Sequence, residues 1–238
     1  MNILKQGAEH FGLCVLSKQV LAFEKYMDLL IEWNKKFNLT AITDENNIII
    51  KHFLDSLSVA MVMDDCKEGS SLIDIGSGAG FPGLPLKIML DKLDITLIDS
   101  VGKKITFLQK VIDILDLKNT KAIISRAEDL ANLPDYREKF DYATARAVSK
   151  LNVISEYCLP FVKIGGKFIS MKLSDTEEEI NEAKAAISIL GGEISEVKKV
   201  KIPFSDITHS LVVIDKTSNT PPKYPRKAGK ATKSPIKL

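Results

Sequence analysis

Two hydrophobic rhythms divide the chain. Up to residue 70 the apolar positions recur at helical spacing. The segment VLAFEKYMDLLIEWNKKF places Leu21, Tyr26, Leu29, Leu30, Trp33 and Phe37 on one stripe. NKKFNLTAIT breaks that pattern, with Asn38 and Thr40 as turn or cap formers, and Asp44 opens a second helix, DENNIIIKHFLDSLSVAMVM, on an Asp-x-x-Asn start signal. His52 and Asp55 lie three apart on one face of that helix and read as a structural hydrogen-bonded pair. From Ser71 the texture changes. SLIDIG, KLDITLIDS, TKAIISRA, KFDYATARA and GGKFISMKL read as strands, and segments between them, such as KKITFLQKVIDILDL and VSKLNVISEYCLPFVKI, have helix length and period. Strand, helix, strand in series means parallel pairing, so the pattern predicts a doubly wound α/β sheet. SEVKKVKIPF and HSLVVIDK then follow one another with no helix between them, which predicts an antiparallel pair at the sheet edge. Beyond Thr217 the chain is rich in Pro, Lys and Gly without periodicity. Three units are expected: a helical extension packed on the core over 1–70, an α/β domain over 71–216 and a basic tail over 217–238.

Composition narrows the class. The 238 residues are 45% hydrophobic and 27% charged, which fits a soluble globular chain, and no stretch approaches the roughly 18 apolar residues of a membrane span. The opening MNILKQGAEHFG lacks the apolar region of a signal peptide. Cys14, Cys66 and Cys158 are scattered and form no CxxC pair, which argues against a disulfide framework or a zinc site. A reducing, cytoplasmic setting is expected, with no metal and no membrane partner. The net charge of +2 hides an asymmetry: from Lys216 onward there are seven basic residues and no acidic ones, so the first 215 residues carry −5. A basic end on an acidic body suits a polyanion such as nucleic acid, or serves as a disordered, solubilising end.

The chemistry gathers at LIDIGSGAGFPGLPLKI. An apolar run ends in Asp74, and Gly76, Gly78 and Gly80 follow at alternate positions. A strand, a glycine turn and a helix bring bare backbone close to a ligand at the carboxyl edge of a parallel sheet. The dinucleotide fingerprint needs glycine at its sixth position, where this chain has Phe81, and no Gly-Lys-Ser/Thr of a Walker loop follows. Asp-x-Gly-x-Gly-x-Gly instead resembles the first motif of class I S-adenosylmethionine methyltransferases. Pro82 suits a first helical turn. KLDITLIDS ends in Asp99, 23 residues after Gly76, where a carboxylate can accept hydrogen bonds from both ribose hydroxyls. Dehydrogenases use the same device, so Asp99 supports a nucleoside cofactor, and the glycine spacing favours the methyl donor over NAD.

Together with its neighbours the loop resembles one family closely. NKKFNLTAIT, KHFLDSL, LIDIGSGAGFPGLPLKI, IDSVGKKITFL, SRAEDL, ATARAVSKL and KYPRKAG are similar, in order, to blocks of the RsmG (GidB) family. These are bacterial guanine-N7 methyltransferases of 16S ribosomal RNA. The resemblance implies a Rossmann-like class I methyltransferase domain, with a mostly parallel seven-stranded sheet, an antiparallel last strand and an N-terminal helical extension. It also implies S-adenosyl-L-methionine as cofactor, 16S ribosomal RNA or the small ribosomal subunit as partner, and a monomer. Carried over by position, the cofactor residues are Gly76 and Phe81 in the first loop, Ala127 and Glu128 in SRAEDL, and Arg146 in ATARAV. Glu128 would accept from the adenine amino group, the Ala127 amide would face a ring nitrogen, and Arg146 would lie near the methionine end and the target base. The stretch Ile207-Thr208-His209-Ser210 is less basic than the family's pattern, which argues against an RNA contact there.

Guanine N7 carries an in-plane lone pair and needs no deprotonation before it attacks a methyl group, so alignment can supply much of the catalysis. The sequence fits this: it has no Pro-Cys nucleophile and no Asn/Asp-Pro-Pro-Tyr/Phe motif, and no essential general base is expected. RNA binding calls for phosphate contacts. The candidates are Lys103 and Lys104 at the start of one helix, then Arg126, Arg146, Lys172 at the end of the fifth strand, and Arg226 and Lys227 of the tail; Phe81 could also stack a base. The alternatives are a non-catalytic ribosome-assembly factor of the same fold, or a methyltransferase acting on another RNA or a small molecule.

Overall fold

A computed structural model describes residues 1–63, 66–146, 149–173 and 176–236. Lys237 of the basic end, and Ala147 and Val148 of the ATARAVSKL block, lie outside the described residues. The strands are β1 (Ser71–Ile75), β2 (Asp94–Asp99), β3 (Thr120–Ile124), β4 (Phe140–Arg146), β5 (Val162–Leu173), β6 (Gly192–Lys201) and β7 (Thr208–Lys216). They form one sheet in the order β3-β2-β1-β4-β5-β7-β6. The first five pair in parallel, and β7 runs antiparallel to both β5 and β6. The expected antiparallel pair is therefore present, with β7 inserted inside β6. Strand order reverses between β1 and β4, so the carboxyl ends of β1, β2 and β4 open a crevice there.

The helices are α1 (Asn2–Glu9), α2 (Ser17–Phe37), α3 (Glu45–Ile48), α4 (Asp55–Leu57), α5 (Gly83–Met89), α6 (Gly102–Leu115), α7 (Ala127–Leu130), α8 (Leu151–Cys158), α9 (Glu177–Ile189) and α10 (Lys230–Lys233). Phe23, Tyr26 and Leu30 of α2 share one core with Phe53, Leu84 of α5 and Phe107 of α6. The N-terminal helices thus complete one face of the sheet. Leu130 of α7, Ile154 of α8 and Ile187 of α9 fill the other face.

Four local expectations change. Leu21 is 58% exposed, and the buried stripe of α2 runs through Phe23, Tyr26, Met27, Leu30 and Asn34. Leu21 precedes Tyr26 by five residues, which at 3.6 residues per turn places it about 140° around the helix. The helix from Asp44 is broken: after α3, which Asp44 caps by accepting from the Asn47 amide at 2.9 Å, residues Ile49–Leu54 form a π-helical turn before α4. Wide turns of this kind re-aim side chains and recur at functional sites. The helix expected through VSKLNVISEYCLPFVKI ends at Cys158, a short 3-10 turn follows, and Val162 already begins β5. Pro82 precedes the first residue of α5, Gly83.

The C-terminal stretch also departs from expectation. Thr220, Tyr224, Ala231 and Ile236 are buried, and Tyr224 and Ile236 join the core under α8. Four such residues at irregular spacing leave no periodic signal. Lys216, counted with the basic end, is 1% exposed: its Nζ donates to the Leu159 carbonyl at 2.7 Å and to Thr220 Oγ1 at 2.6 Å and pairs with Glu138 at 3.2 Å. Burial, only partly offset by Glu138, brings its pKa down to about 8.

Candidate cofactor and substrate site

The glycine loop is held from three sides. Asp74, fully buried at the end of β1, accepts from the Gly83 amide at 3.1 Å and from Thr144 Oγ1 at 3.4 Å. Burial pushes its carboxyl up to about 6, against those hydrogen bonds and the charge of Arg146. The amides of Gly76 and Ser77 donate to the Ile98 carbonyl of β2. From the N-terminal side the Tyr26 hydroxyl donates to the Ala79 carbonyl at 2.5 Å. Gly76, Gly78 and Gly80 have φ of 70°, 61° and 101°, where glycine alone is unstrained. At Gly80 packing adds to this, because a Cβ would lie 2.5 Å from Leu84 Cδ1 and 2.7 Å from the Tyr26 hydroxyl.

Five of the six residues expected to hold the cofactor surround one cavity of about 420 Å³ at the carboxyl edge of the sheet: Gly76, Asp99, Ala127, Glu128 and Arg146. That volume falls in the range of small-molecule sites. Asp99, 6% exposed, takes the Gly78 amide (3.0 Å) and Lys104 Nζ (3.2 Å) on Oδ2 and the Val101 amide (2.9 Å) on Oδ1. Its carboxylate is thereby fixed at the end of β2. Glu128, 7% exposed, is the second residue of α7, and its Oε1 accepts from the Gly229 amide at 3.2 Å. Two fixed carboxylates, the Ala127 backbone and the Gly76 turn form a donor and acceptor set that fits a nucleoside.

Phe81 is the exception. It is 4% exposed and does not line this cavity. Its ring stacks on His52 with centroids 4.4 Å apart and lies 4.9 Å from the guanidinium of Arg146. Its ring packs between α2 and the π turn and supports Arg146 from below, so the expected contact with a cofactor or base is not one that the ring makes in this cavity.

Arg146, the last residue of β4, lines both this cavity and a second cleft of about 880 Å³. Its Nη1 donates to Asp55 Oδ2 at 2.9 Å and to the Lys51 carbonyl at 3.2 Å, and its Nη2 approaches His52 Nδ1 at 3.3 Å. Asp55 also takes His209 Nδ1 at 2.6 Å. Burial alone would raise the Asp55 carboxyl, but the His209 hydrogen bond and the Arg146 charge outweigh it and hold it below the ordinary value. His52 is pulled down to about 4 by burial and by Arg146, so it is neutral at physiological pH. Both ring nitrogens are engaged: Nδ1 lies 3.1 Å from the Lys51 carbonyl as well as beside Arg146, and Nε2 lies 2.8 Å from Thr40 Oγ1. His52 and Asp55 are thus joined through Arg146, not to each other as expected. His209 escaped the sequence reading, which saw only the weak charge of its neighbourhood; it is 3% exposed and bonds the second oxygen of Asp55.

The expected RNA-binding residues separate into two groups. Lys103, Arg126 and Lys227 are exposed, and Arg126 lies on the rim of the smaller cavity. The others are engaged by the protein: Lys104 by Asp99, Lys172 by Glu179 at 2.7 Å and by the Ser149 carbonyl, and Arg226 by Glu156 at 2.6 Å. The partners of Lys104 and Lys172 lie five and seven residues away in the chain, whereas Glu156 lies 70 residues from Arg226. Lys172, with a side chain 13% exposed, still lines the larger cleft.

The family model described as rRNA small subunit methyltransferase G matches residues 19–209. A ribosomal RNA small subunit methyltransferase G of Alkaliphilus oremlandii is 51% identical over 236 residues, 99% of this chain and 98% of that protein. The protein of the same name from Clostridium perfringens is 45% identical over the same shares of each. Among solved structures, M. jannaschii TYW2 in complex with AdoMet superposes with a TM-score of 0.52 at 18% identity, over 63% of this chain and 70% of that one. TrmN from Thermus thermophilus does so with a TM-score of 0.52 at 13% identity, over 71% and 53%. These two share the fold. The long match to the family model and the near full-length relatives show that the chain belongs to the GidB family of rRNA small subunit methyltransferase G proteins.

Proposed function

We propose that this protein transfers the methyl group of S-adenosylmethionine to N7 of a guanine in 16S ribosomal RNA, presented as the RNA or within the small ribosomal subunit. The observation that carries the reading is the position of Arg146, where a nucleoside-sized cavity meets a larger cleft open to solvent. Asp99 would accept from the ribose hydroxyls. Glu128 and the Ala127 amide would hold the adenine edge, and the Gly76 turn would let the backbone approach the amino-acid portion. Bound there, S-adenosylmethionine supplies an electrophilic methyl group on a cationic sulfur.

The target base would enter from the larger cleft, on the far side of Arg146. N7 takes the methyl without losing a proton, and the positive charge passes from sulfur to the base. A bare guanidinium beside that base would oppose the charge. Asp55, 2.9 Å from Arg146, balances it. His52 and His209 are both occupied in holding Arg146 and Asp55. This supports alignment in place of general-base chemistry. Exposed Lys103, Arg126 and Lys227 remain for the RNA backbone. Incubation with tritiated S-adenosylmethionine should label 16S RNA or small subunits that lack the mark; absence of label in both substrates overturns the proposal.

A further inference from the structure

We propose that the segment after β7 is a strap that walls the cofactor cavity, latched by Arg226 on Glu156 and set against Glu128 by the Gly229 amide. Arg226 and Glu156 are then positioning residues for the cofactor, and Arg226 is not a phosphate grip. The inference rests on the reading of the smaller cavity as the S-adenosylmethionine site.

The latch is well made. Glu156, on α8, is 1% exposed, and its carboxylate takes the Arg226 amide at 2.8 Å, Nε at 2.9 Å and Nη2 at 2.6 Å. Side-on pairing of a guanidinium with a carboxylate fixes direction as well as distance. Upstream, Arg137 fastens the same segment through the Thr220 carbonyl at 2.8 Å and the Tyr224 carbonyl at 2.9 Å. Downstream, Ala231 and Ile236 are buried. The stretch between these anchors reaches the cavity, since both Gly229 and Thr232 line it. Gly229, at φ 76°, donates to Glu128 Oε1 at 3.2 Å, and Thr232 Oγ1 meets the Tyr157 hydroxyl at 3.2 Å. The strap therefore has two faces. Arg226 and Gly229 are half-buried and Thr232 borders the cavity, while Lys227, Lys230 and Lys233 are exposed. A guanidinium withdrawn to an RNA phosphate would leave the buried Glu156 charge with no cation beside it and only the Arg226 amide as donor, which is unfavourable.

Calorimetry of the full chain with S-adenosylmethionine, alongside RNA binding over a range of salt, tests the inference. Arg226→Ala and Glu156→Gln should each weaken cofactor binding at least tenfold, whereas Lys230→Ala should leave it unchanged. The slope of log RNA affinity against log salt should stay the same in Arg226→Ala. A phosphate contact would instead lower that slope by about one. Cofactor affinity within twofold of the unsubstituted chain in both latch variants, or a reduced slope in Arg226→Ala, overturns the proposal. If the latch variants do not fold, the unsubstituted protein still decides: cofactor should slow tryptic cleavage after Lys227 and Lys230, and an unaltered cleavage rate overturns it. Failure of the unsubstituted chain to bind S-adenosylmethionine would count against the cavity itself, whereas normal binding with indifferent variants would count against the strap alone.

Discussion

Arg146 and Asp55 stand 91 residues apart in the chain, yet their side chains meet at 2.9 Å where the two cavities join. Asp55 is held in turn by His209, and Phe81 lies under the guanidinium. The end of β4, the turn before α4 and the start of β7 therefore act on one guanidinium.

Replacing Asp55 by Asn keeps the shape of the side chain and removes its charge. Arg146 then loses its balancing anion, and the one remaining side-chain oxygen can accept from Arg146 or from His209 but not from both as now. The single-turnover methylation rate should fall about 10- to 100-fold, equivalent to roughly 1.4–2.7 kcal/mol of barrier, while cofactor affinity changes little. Rapid-quench kinetics with calorimetry on the same sample checks both. An unchanged rate would separate Asp55 from the chemistry.

Tyr26 links the N-terminal helices to the glycine loop. Tyr26→Phe removes the donor that satisfies the buried Ala79 carbonyl. It should cost about 1–3 kcal/mol of stability and weaken S-adenosylmethionine binding several-fold by loosening the loop. Urea unfolding and calorimetry read the two effects. A variant with the full stability and affinity of the original would deny the brace.

Two buried groups give opposite pH slopes. His52 titrates at about 4 when folded and near 6.5 when unfolded, so its contribution is present above pH 6.5 and is lost as pH falls toward 4. Asp74 titrates at about 6 when folded and near 3.9 when unfolded, so its contribution is present below pH 4 and is lost as pH rises toward 6. Between those limits the slopes oppose each other, at about 1 kcal/mol per pH unit each. Asp74→Asn should therefore make stability rise with pH more steeply than in the unsubstituted chain. His52→Gln should tilt it the other way. Urea midpoints at pH 4.5, 5.25 and 6 measure this, and parallel profiles for all three proteins would refute the assignment.

What was legible in the sequence is what is local. Alternation and turn residues mark the cores of β1 to β7, and Asp74, Gly76 and Asp99 announce the cavity because strand, turn and helix follow directly in the chain. Ala127, Glu128 and Arg146 needed the family resemblance, since a short motif at a strand end says nothing about which cavity it faces. His209, 154 residues from Asp55, had no local signal. The packing of the Phe81 ring had no local signal either, because its neighbours in space, Tyr26 and His52, come from a different part of the chain. The C-terminal segment was read as a tail because charge dominates its composition, while its anchors are one arginine and a few irregularly spaced buried residues. Carboxylates engage Lys104, Lys172 and Arg226, and of these only Glu156 comes from a distant element.

The central claim is that the cavity edged by Arg146 delivers a methyl group to guanine N7 of the small-subunit RNA. Mass mapping of methylated nucleotides in 16S RNA, from cells with and without this protein, tests it most directly. One guanine should carry a methyl group whose loss on removing the protein is reversed by the intact gene and not by a form with Asp99 and Glu128 both replaced by Ala, and cleavage chemistry for 7-methylguanosine should place that methyl on N7. An identical methylation map in both cell lines, or a methyl group at another atom, would contradict it.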